Sequence, residues 1–306
     1  MGVRAALKEA MARLAAAQVP SHALAAELLL MHALGRDRAW LYAHPEEMLD
    51  SAAAQKYFGF LTRRAAGEPT QYITGKQEFW GLELEVTPAV LIPRPETEHV
   101  VEVALERLRQ RPGHQLDGPL RVADVGTGSG CLAVALAKEL PRAGILATDI
   151  SGGALEVARR NAMRHGVASS IQFVCANLLD AFLIPLPACP EAEGRRGARH
   201  ASLLFDLMVS NPPYVAREEA AELPREVREH EPHQALFGGR SGFEVYPQLA
   251  SQAAELLRPG GILVLEIGYD SAVRVRNIFE RDLRWSHVAV TTDLAGIERV
   301  LAAERT

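Results

Sequence analysis

Cysteine is scarce in this sequence: the 306 residues include three, with no C-x-x-C spacing. An odd number without that spacing suits a reducing cytosol rather than a disulfide framework, so we expect a cytoplasmic protein. Cys131 and Cys175 lie among apolar residues and are predicted to be small core residues.

Long apolar runs are also missing. No stretch of eighteen or more apolar residues occurs, so no transmembrane span is expected. The alanine-rich first residues are interrupted by Arg4, Lys8, Glu9 and Arg13, and they lack the uninterrupted apolar core of a signal peptide.

An excess of positive charge is absent as well. The chain has 33 lysines and arginines against 38 aspartates and glutamates, which gives a net charge of −5. Direct nucleic-acid binding is therefore not expected. With 48% hydrophobic residues the chain has enough apolar material for a packed core, and its length indicates one large domain plus a smaller one.

The most informative segment is Asn211-Pro212-Pro213-Tyr214, which directly follows an apolar run at residues 203–210. That run predicts a buried strand, and ligands bind at the ends of strands in open α/β sheets. A side-chain amide followed by two residues without a backbone N–H gives a rigid group of acceptors. Such a group suits holding an NH2 group still during a reaction.

A second segment supplies a nucleotide-type site. Residues 120–125 predict a strand, the turn Gly126-Thr127-Gly128-Ser129-Gly130 follows, and residues 131–138 predict a helix. Asp149 ends the next predicted strand, where an acidic residue can accept hydrogen bonds from both ribose hydroxyls.

The spacing G-x-G-x-G differs from the dinucleotide pattern G-x-G-x-x-G. Asp124 precedes the first glycine, and an acidic group there would repel a phosphate. A cationic ligand with a ribose fits better, and S-adenosylmethionine is such a ligand. A glycine turn that merely joins a strand to a helix is the simpler interpretation, but the order of Asp124, Asp149 and Asn211 argues against it.

The chain is predicted to have three parts: a helical domain at 1–68, a β-hairpin linker at 69–93 and a catalytic domain at 94–306. Helices are expected to begin near Val3, Ser21 and Ser51, with Gly35 ending the second. Residues 71–75 and 78–86 alternate and predict the hairpin. Scaffolding and partner docking are equally compatible with the helical domain.

Alternating helices and short apolar strands after Val100 predict a largely parallel sheet. In the segment at 92–98, Thr97 or Glu96 is expected to cap the helix starting near Glu98. Residues 184–202, rich in proline, glycine and charge, predict a mobile surface insertion. The polar stretch after Tyr214 predicts a loop over the site.

Three segments together resemble the peptide chain release factor glutamine methyltransferases, the HemK-like family. They are Ile-Pro-Arg-Pro-Glu-Thr-Glu at 92–98, Asp-Val-Gly-Thr-Gly-Ser-Gly at 124–130 and Asn-Pro-Pro-Tyr at 211–214. The first is the discriminating one, because sister enzymes acting on a ribosomal protein have a segment resembling Pro-Arg-Ser-Pro-Ile. The resemblance covers nearly the whole chain and implies a Rossmann-like, seven-stranded class I methyltransferase domain.

The resemblance implies methyl transfer from S-adenosylmethionine to the side-chain amide N5 of the glutamine in a Gly-Gly-Gln motif. Residues 126–130 would contact the cofactor's methionine part, and Asp149 its ribose. Asn177 and Leu178 would lie near the adenine, where relatives often have an aromatic residue that this chain lacks. Asn211 and the Pro212 carbonyl would accept the amide hydrogens, with Pro213 and Tyr214 completing the substrate site.

Several alternatives remain open. A ribosomal-protein glutamine or an amino group of a nucleic-acid base could be the acceptor, since base-methylating enzymes share the Asn-Pro-Pro-Tyr motif. A non-enzymatic module that binds the cofactor and docks a translation protein is a further alternative. The segment Glu229-His230-Glu231-Pro232-His233 is a weak metal candidate because Pro232 interrupts any helix, so no metal is expected.

Overall fold

The computed structural model describes residues 1–111, 119–183, 204–293 and 295–306. The predicted insertion at 184–202, which includes Cys189, lies outside this range. The described residues form two compact units. One consists of Met1–Lys76, Val86–Pro88 and Glu222–Glu231, and the other of Gln77–Glu85, Ala89–Ala221 and Pro232–Thr306. The three-part division at 68 and 93 stays a prediction.

The first unit is helical. Its helices are Val3–Ala16, His22–Leu34, Arg38–Ala43, Ser51–Ala65, Thr70–Thr74 and Arg225–His230. Asp50 caps its helix by accepting a hydrogen bond from the Ala53 N–H at 2.7 Å, and Gly35 ends the second helix with φ of 63°. Tyr57 is fully buried, and its hydroxyl donates to the Ala26 carbonyl at 3.0 Å. The predicted helix starts are confirmed, and Arg38–Ala43 is an additional helix.

The hairpin is shorter than its prediction. Strands β1 (Lys76–Phe79) and β2 (Leu82–Glu85) pair with each other, but Thr70–Thr74 is a helix rather than a strand. The Pro69 carbonyl accepts hydrogen bonds from the N–H groups of Tyr72 and Ile73, which starts a helical turn. Both side chains are buried, so their packing outweighs the alternating pattern.

The second unit contains a seven-stranded sheet in the order β5-β4-β3-β6-β7-β9-β8. Its strands are β3 (Arg121–Val125), β4 (Gly144–Asp149), β5 (Ile171–Cys175), β6 (Phe205–Ser210), β7 (Leu257–Glu266), β8 (Trp285–Thr292) and β9 (Glu298–Arg305). Strands β3 to β7 pair in parallel, and β9 pairs antiparallel with β7 and β8. The predicted Rossmann-like sheet is confirmed.

Both faces of this sheet are buried under helices. Neighbouring residues such as Val122 and Ala123 point to opposite faces, as the two-residue period of a strand requires. The helices are Glu98–Arg109, Cys131–Glu139, Gly152–Arg164, Asp180–Leu183, His233–Leu236, Val245–Leu256 and Ala272–Glu280. None of the helices within the described ranges has the length and apolar character needed to span a membrane.

The two described cysteines differ in their surroundings. Cys131 is half-buried and packs against the core at the start of its helix. Cys175 is exposed, so its predicted core position is wrong. It is the last residue of β5, and β5 is an edge strand that leaves its carboxyl end open to solvent.

One buried side chain, Asn161, joins the hairpin to the sheet domain. Its amide oxygen accepts from the Glu85 N–H at 2.7 Å. Its amide nitrogen donates to the carbonyls of Glu85 and Ser129 at 2.9 and 2.8 Å. Asn161 therefore fixes both the end of β2 and the turn after β3.

We expect Asn161→Ala to lower the free energy of unfolding by about 2–4 kcal/mol, because it leaves three backbone groups without their partner. The measurement is urea denaturation of the full chain. Asn277→Ala, at an exposed helical position, is the matched control and should change stability by less than about 0.5 kcal/mol. Equal stability of the two variants would contradict this role of Asn161.

Candidate active site

The carboxyl ends of β3, β4, β5 and β6 meet at one edge of the sheet, next to a cavity of about 360 Å³. The chain order reverses between β3 and β6, and this is where open α/β sheets bind ligands. The segment after Tyr214, predicted as a loop, contains the helices Arg225–His230 and His233–Leu236. Its residues Arg217, Gln234 and Phe237 also line the cavity.

The glycine turn after β3 is fixed by backbone hydrogen bonds. The N–H groups of Gly126 and Thr127 both donate to the Thr148 carbonyl at 2.8 Å. Gly130 has φ of 83°, and a Cβ there would lie 3.0 Å from the Ala158 side chain. This turn therefore needs glycine at position 130 to pack against the helix Gly152–Arg164.

Asp149 ends β4 beside the turn. Its two carboxylate oxygens accept hydrogen bonds from the backbone N–H groups of Gly128 at 2.9 Å and Ser151 at 2.8 Å. These bonds fix the carboxylate at the cavity wall, and each oxygen keeps a lone pair for a further donor. Burial raises the pKa of Asp149, so the ionised carboxylate favours a donor or a cation nearby.

Asp124 lies beneath the same turn and is fully buried. One oxygen accepts from the Thr127 hydroxyl at 2.6 Å and from the Ala133 N–H at 3.1 Å. The other oxygen has no hydrogen-bond partner among the described residues. Burial raises the pKa of Asp124 to about 7, because removal from water disfavours the charged form.

Two apolar side chains and one amide also line the cavity. Ile150, of which 59% is exposed, lines the cavity together with Leu178. The Asn177 amide nitrogen donates to Asp180 at 3.0 Å, so its amide oxygen points away from that bond as an acceptor. Apolar side chains beside an amide acceptor suit a flat heterocycle that carries an amino group.

Asn211 directly follows β6, and its amide nitrogen donates to the Thr97 hydroxyl at 3.0 Å. That hydroxyl donates in turn to the carboxylate of Glu266 at 2.6 Å. The Tyr214 hydroxyl donates to the other Glu266 oxygen at 3.1 Å. Burial raises the pKa of Glu266, which is 1% exposed.

The predicted cap at the helix Glu98–Arg109 is absent, because neither the preceding turn nor that helix begins with a side-chain cap hydrogen bond. Residues 95–97 form a 3-10 turn, and the Thr97 hydroxyl is directed to Glu266 instead.

The glycines after the Asn-Pro-Pro-Tyr segment allow the following loop to lie against it. A Cβ at Gly238 would be 2.2 Å from the Pro213 carbonyl oxygen, and one at Gly242 would be 2.3 Å from the Tyr214 carbonyl oxygen. The Gly238 N–H also donates to the Val215 carbonyl at 3.1 Å. Side chains at these two positions would displace the segment that carries Asn211.

Nine of the twelve predicted site residues line one cavity: Gly126, Thr127, Gly128, Ser129, Asp149, Asn177, Leu178, Asn211 and Pro213. Gly130, Pro212 and Tyr214 are not among the residues that line it. The sequence motifs did not predict Thr97 or Glu266 as site residues. An acidic residue that ends an apolar strand, as Glu266 does, is the signal that could have pointed to the second of them.

Relatives with known names match the whole chain. A release factor glutamine methyltransferase from Koribacter versatilis is 43% identical over 305 residues, which cover 100% of this chain and 99% of the relative. One from Moorella thermoacetica is 44% identical with the same coverage. The chain belongs to the release factor glutamine methyltransferase family. The predicted family resemblance is thus confirmed.

Two family models match parts of the chain, and a solved structure matches its fold. Residues 5–75 match the PrmC N-terminal domain, and residues 122–188 match a methyltransferase domain. The catalytic domain of hMettl16, solved with the MAT2A 3'UTR hairpin 1, has a TM-score of 0.52 at 15% identity. It covers 86% of this chain and 83% of its own, and supports the fold alone.

The segment Glu229–His233 is a weak metal candidate. Within the described ranges, no three His, Cys, Asp or Glu side chains are arranged to hold a metal ion.

Asp124 predicts a pH dependence of stability. Its pKa is raised from 3.8 to about 7, so the folded chain binds more protons than the unfolded chain between these values. The free energy of unfolding contributed by Asp124 therefore falls as the pH rises through this window, by roughly 4 kcal/mol in total. Asp124→Asn cannot ionise and should lose this dependence.

The measurement is urea denaturation of both proteins at intervals between pH 4 and 8. We expect the stability of Asp124→Asn relative to the unsubstituted protein to increase with pH. A difference that stays constant over the range would contradict the raised pKa of Asp124.

Proposed function

We propose that this chain transfers the methyl group of S-adenosylmethionine to the side-chain amide N5 of the glutamine in a Gly-Gly-Gln motif of peptide chain release factors. The observation that carries the proposal is the orientation of Asn211, whose amide nitrogen is occupied by Thr97. Its amide oxygen is therefore the group offered to a substrate NH2. The names of the full-length relatives support the choice of acceptor.

The cavity residues fit the cofactor. The turn Gly126–Gly130 would hold its methionine part, Asp149 would accept from the ribose hydroxyls, and Asn177 would accept from the adenine amino group. Ile150 and Leu178 would contact the two faces of the adenine, which compensates for the missing aromatic residue. When bound, S-adenosylmethionine supplies a methyl group activated by the positive charge on sulfur.

Buried negative charge supports a cationic ligand. Asp124, Asp149 and Glu266 all have raised pKa values, mainly because of burial. A positive ligand in the cavity would offset the cost of ionising these carboxylates, whereas a phosphate would increase it. This is the electrostatic reason for preferring a sulfonium nucleoside to a dinucleotide.

Positioning and electrostatics would provide most of the catalysis. An amide nitrogen is a weak nucleophile because its lone pair is delocalised into the carbonyl. The Asn211 amide oxygen and the Pro212 carbonyl would accept its two N–H bonds, fix it in line with the methyl group, and stabilise the positive charge that develops on nitrogen. Orientation of this kind can lower the activation free energy by roughly 7–11 kcal/mol.

The test is transfer of a labelled methyl group to three acceptors: an intact release factor, a ribosomal protein and DNA. We expect label on the release factor glutamine alone, identified by mass spectrometry of the Gly-Gly-Gln peptide. Label on either other acceptor would support an alternative substrate, and cofactor binding without transfer would support a non-enzymatic docking role.

Asn211→Ala should lower kcat by roughly 10²-fold, because the change removes an acceptor that acts on the developing charge. Affinity for S-adenosylmethionine, measured by calorimetry, should change little. Asp149→Ala is the comparison variant and should weaken cofactor affinity instead. Turnover of Asn211→Ala near that of the unsubstituted protein would contradict the assigned role.

We also infer that the helical unit docks the protein substrate. Leu24 and Leu28 are four residues apart on the helix His22–Leu34, with 47% and 36% exposure, and Tyr42 and Met48 are exposed on the same unit. Apolar exposure of this kind is typical of interaction surfaces. Direct nucleic-acid binding forms no part of the proposal.

The double variant Leu24→Glu/Leu28→Glu should raise KM for the intact release factor by roughly tenfold, equivalent to about 1.4 kcal/mol. KM for a short Gly-Gly-Gln peptide should stay the same, since the peptide lacks the rest of the release factor, which is the part proposed to contact the helical unit. Met163→Glu, an exposed position on the other unit, is the control. Equal rises for both substrates would argue against docking through this helix.

A further inference from the structure

We propose that Thr97 and Glu266 are positioning residues that set the hydrogen-bond polarity of the Asn211 side chain, so that its amide oxygen and not its NH2 group faces the substrate. The inference rests on the function proposed above. It also assigns a role to Thr97, a residue of the segment at 92–98 for which the family resemblance implies none.

The first step is the register of two strands. Strands β6 and β7 are parallel neighbours, and Ser210 pairs with Leu265. The next residues, Asn211 and Glu266, are therefore side by side where the two strands end. Thr97 is 1% exposed and lies between their side chains, bonded to Glu266 at 2.6 Å and to Asn211 at 3.0 Å.

The second step is proton counting. A hydroxyl group has a single proton to donate, and a carboxylate can only accept. Since Thr97 gives its proton to Glu266, it can only accept from Asn211, and the Asn211 amide must present its nitrogen to Thr97. The amide oxygen then points the other way, where an acceptor for a substrate NH2 is required.

The reversed orientation would defeat the reaction. If Thr97 donated to Asn211, the amide would turn by 180° and offer an NH2 group to the substrate NH2. Two donors facing each other form no hydrogen bond and leave the substrate nitrogen unheld. A group at position 266 that accepts from Thr97 without donating to it therefore determines which orientation is stable.

The third step concerns the cost of burying Glu266. A carboxylate that is 1% exposed is expensive to ionise, and its pKa is raised by burial. Hydrogen bonds from Thr97 and Tyr214 and the charge of Arg299 oppose this rise, while Glu96 adds to it. An apolar side chain could fill this space at a lower free-energy cost, so the presence of a carboxylate indicates that position 266 is needed as a hydrogen-bond acceptor.

The experiment uses three full-length variants: Glu266→Gln, Thr97→Val and Thr97→Ser. Glu266→Gln keeps the shape of the side chain but adds a donor that permits the reversed orientation. Thr97→Val keeps the shape and removes the hydroxyl, while Thr97→Ser keeps the hydroxyl. Thr292→Val, at an exposed strand end away from the cavity, is the control.

We expect Glu266→Gln and Thr97→Val to lower kcat by roughly 10²-fold, as for a misplaced catalytic group, with KM for the release factor and cofactor affinity within about twofold. Thr97→Ser should recover most of the lost turnover. Turnover near normal in Thr97→Val, or equal loss in Thr97→Ser and Thr97→Val, would overturn the inference. Should Glu266→Gln fail to fold, the two Thr97 variants decide the question.

A second measurement does not depend on turnover. In ¹⁵N NMR spectra, the side-chain NH2 of Asn211, assigned by its loss in Asn211→Ala, should exchange slowly with solvent and lose this protection in Thr97→Val. Fast exchange in the unsubstituted protein would overturn the inference. Protection without methylation of any acceptor would instead contradict the proposed function and leave the orientation of Asn211 supported.

Discussion

The parallel alignment of β3, β4, β6 and β7 is the constraint on which the site depends. It brings the ends of these strands to one edge, where Asp149 and Glu266 end their strands and the glycine turn and Asn211 directly follow theirs. The Ser210 hydroxyl donates to the Val125 carbonyl at 2.6 Å and ties β6 to β3 just before both segments leave the sheet. A register shift of one residue would turn each of these side chains to the opposite face.

Electrostatics gives the same edge its chemical character. Asp124 is fully buried, Glu266 is 1% exposed, and Asp149 is largely covered, so each is costly to ionise. These carboxylates are compensated chiefly by hydroxyl and backbone N–H donors, such as Thr127 and Thr97. An environment of this kind stabilises positive charge, which fits both a sulfonium donor and an amide nitrogen that becomes positive as it is methylated.

The sequence predicts the strands of the sheet well because each is a short apolar run bounded by glycine or polar residues. It predicts the cavity-lining residues Gly126, Asp149 and Asn211 because each lies at or just after the end of a predicted strand. It fails at Thr70–Thr74, where packing of Tyr72 and Ile73 outweighs alternation, and at Thr97, predicted as a helix cap. Thr97 and Glu266 are 169 residues apart, and no local pattern reports a contact over that distance.

The acceptors proposed for the substrate, the Asn211 amide oxygen and the Pro212 carbonyl, limit the kind of substrate more narrowly than the fold does. An Asn211 side chain whose nitrogen is held by Thr97 leaves its oxygen as an acceptor beside prolines without N–H groups, and this suits a planar NH2 with two hydrogens to donate. A hydroxyl has a single hydrogen, and an ammonium group has no lone pair to attack with. A glutamine amide and the amino group of a nucleic-acid base can both donate two hydrogens to these acceptors, so the chemistry of the acceptors alone does not distinguish the two substrates. That choice must come from surfaces outside the cavity, which is why full-length similarity, including residues 5–75, favours the release factor over a nucleic acid.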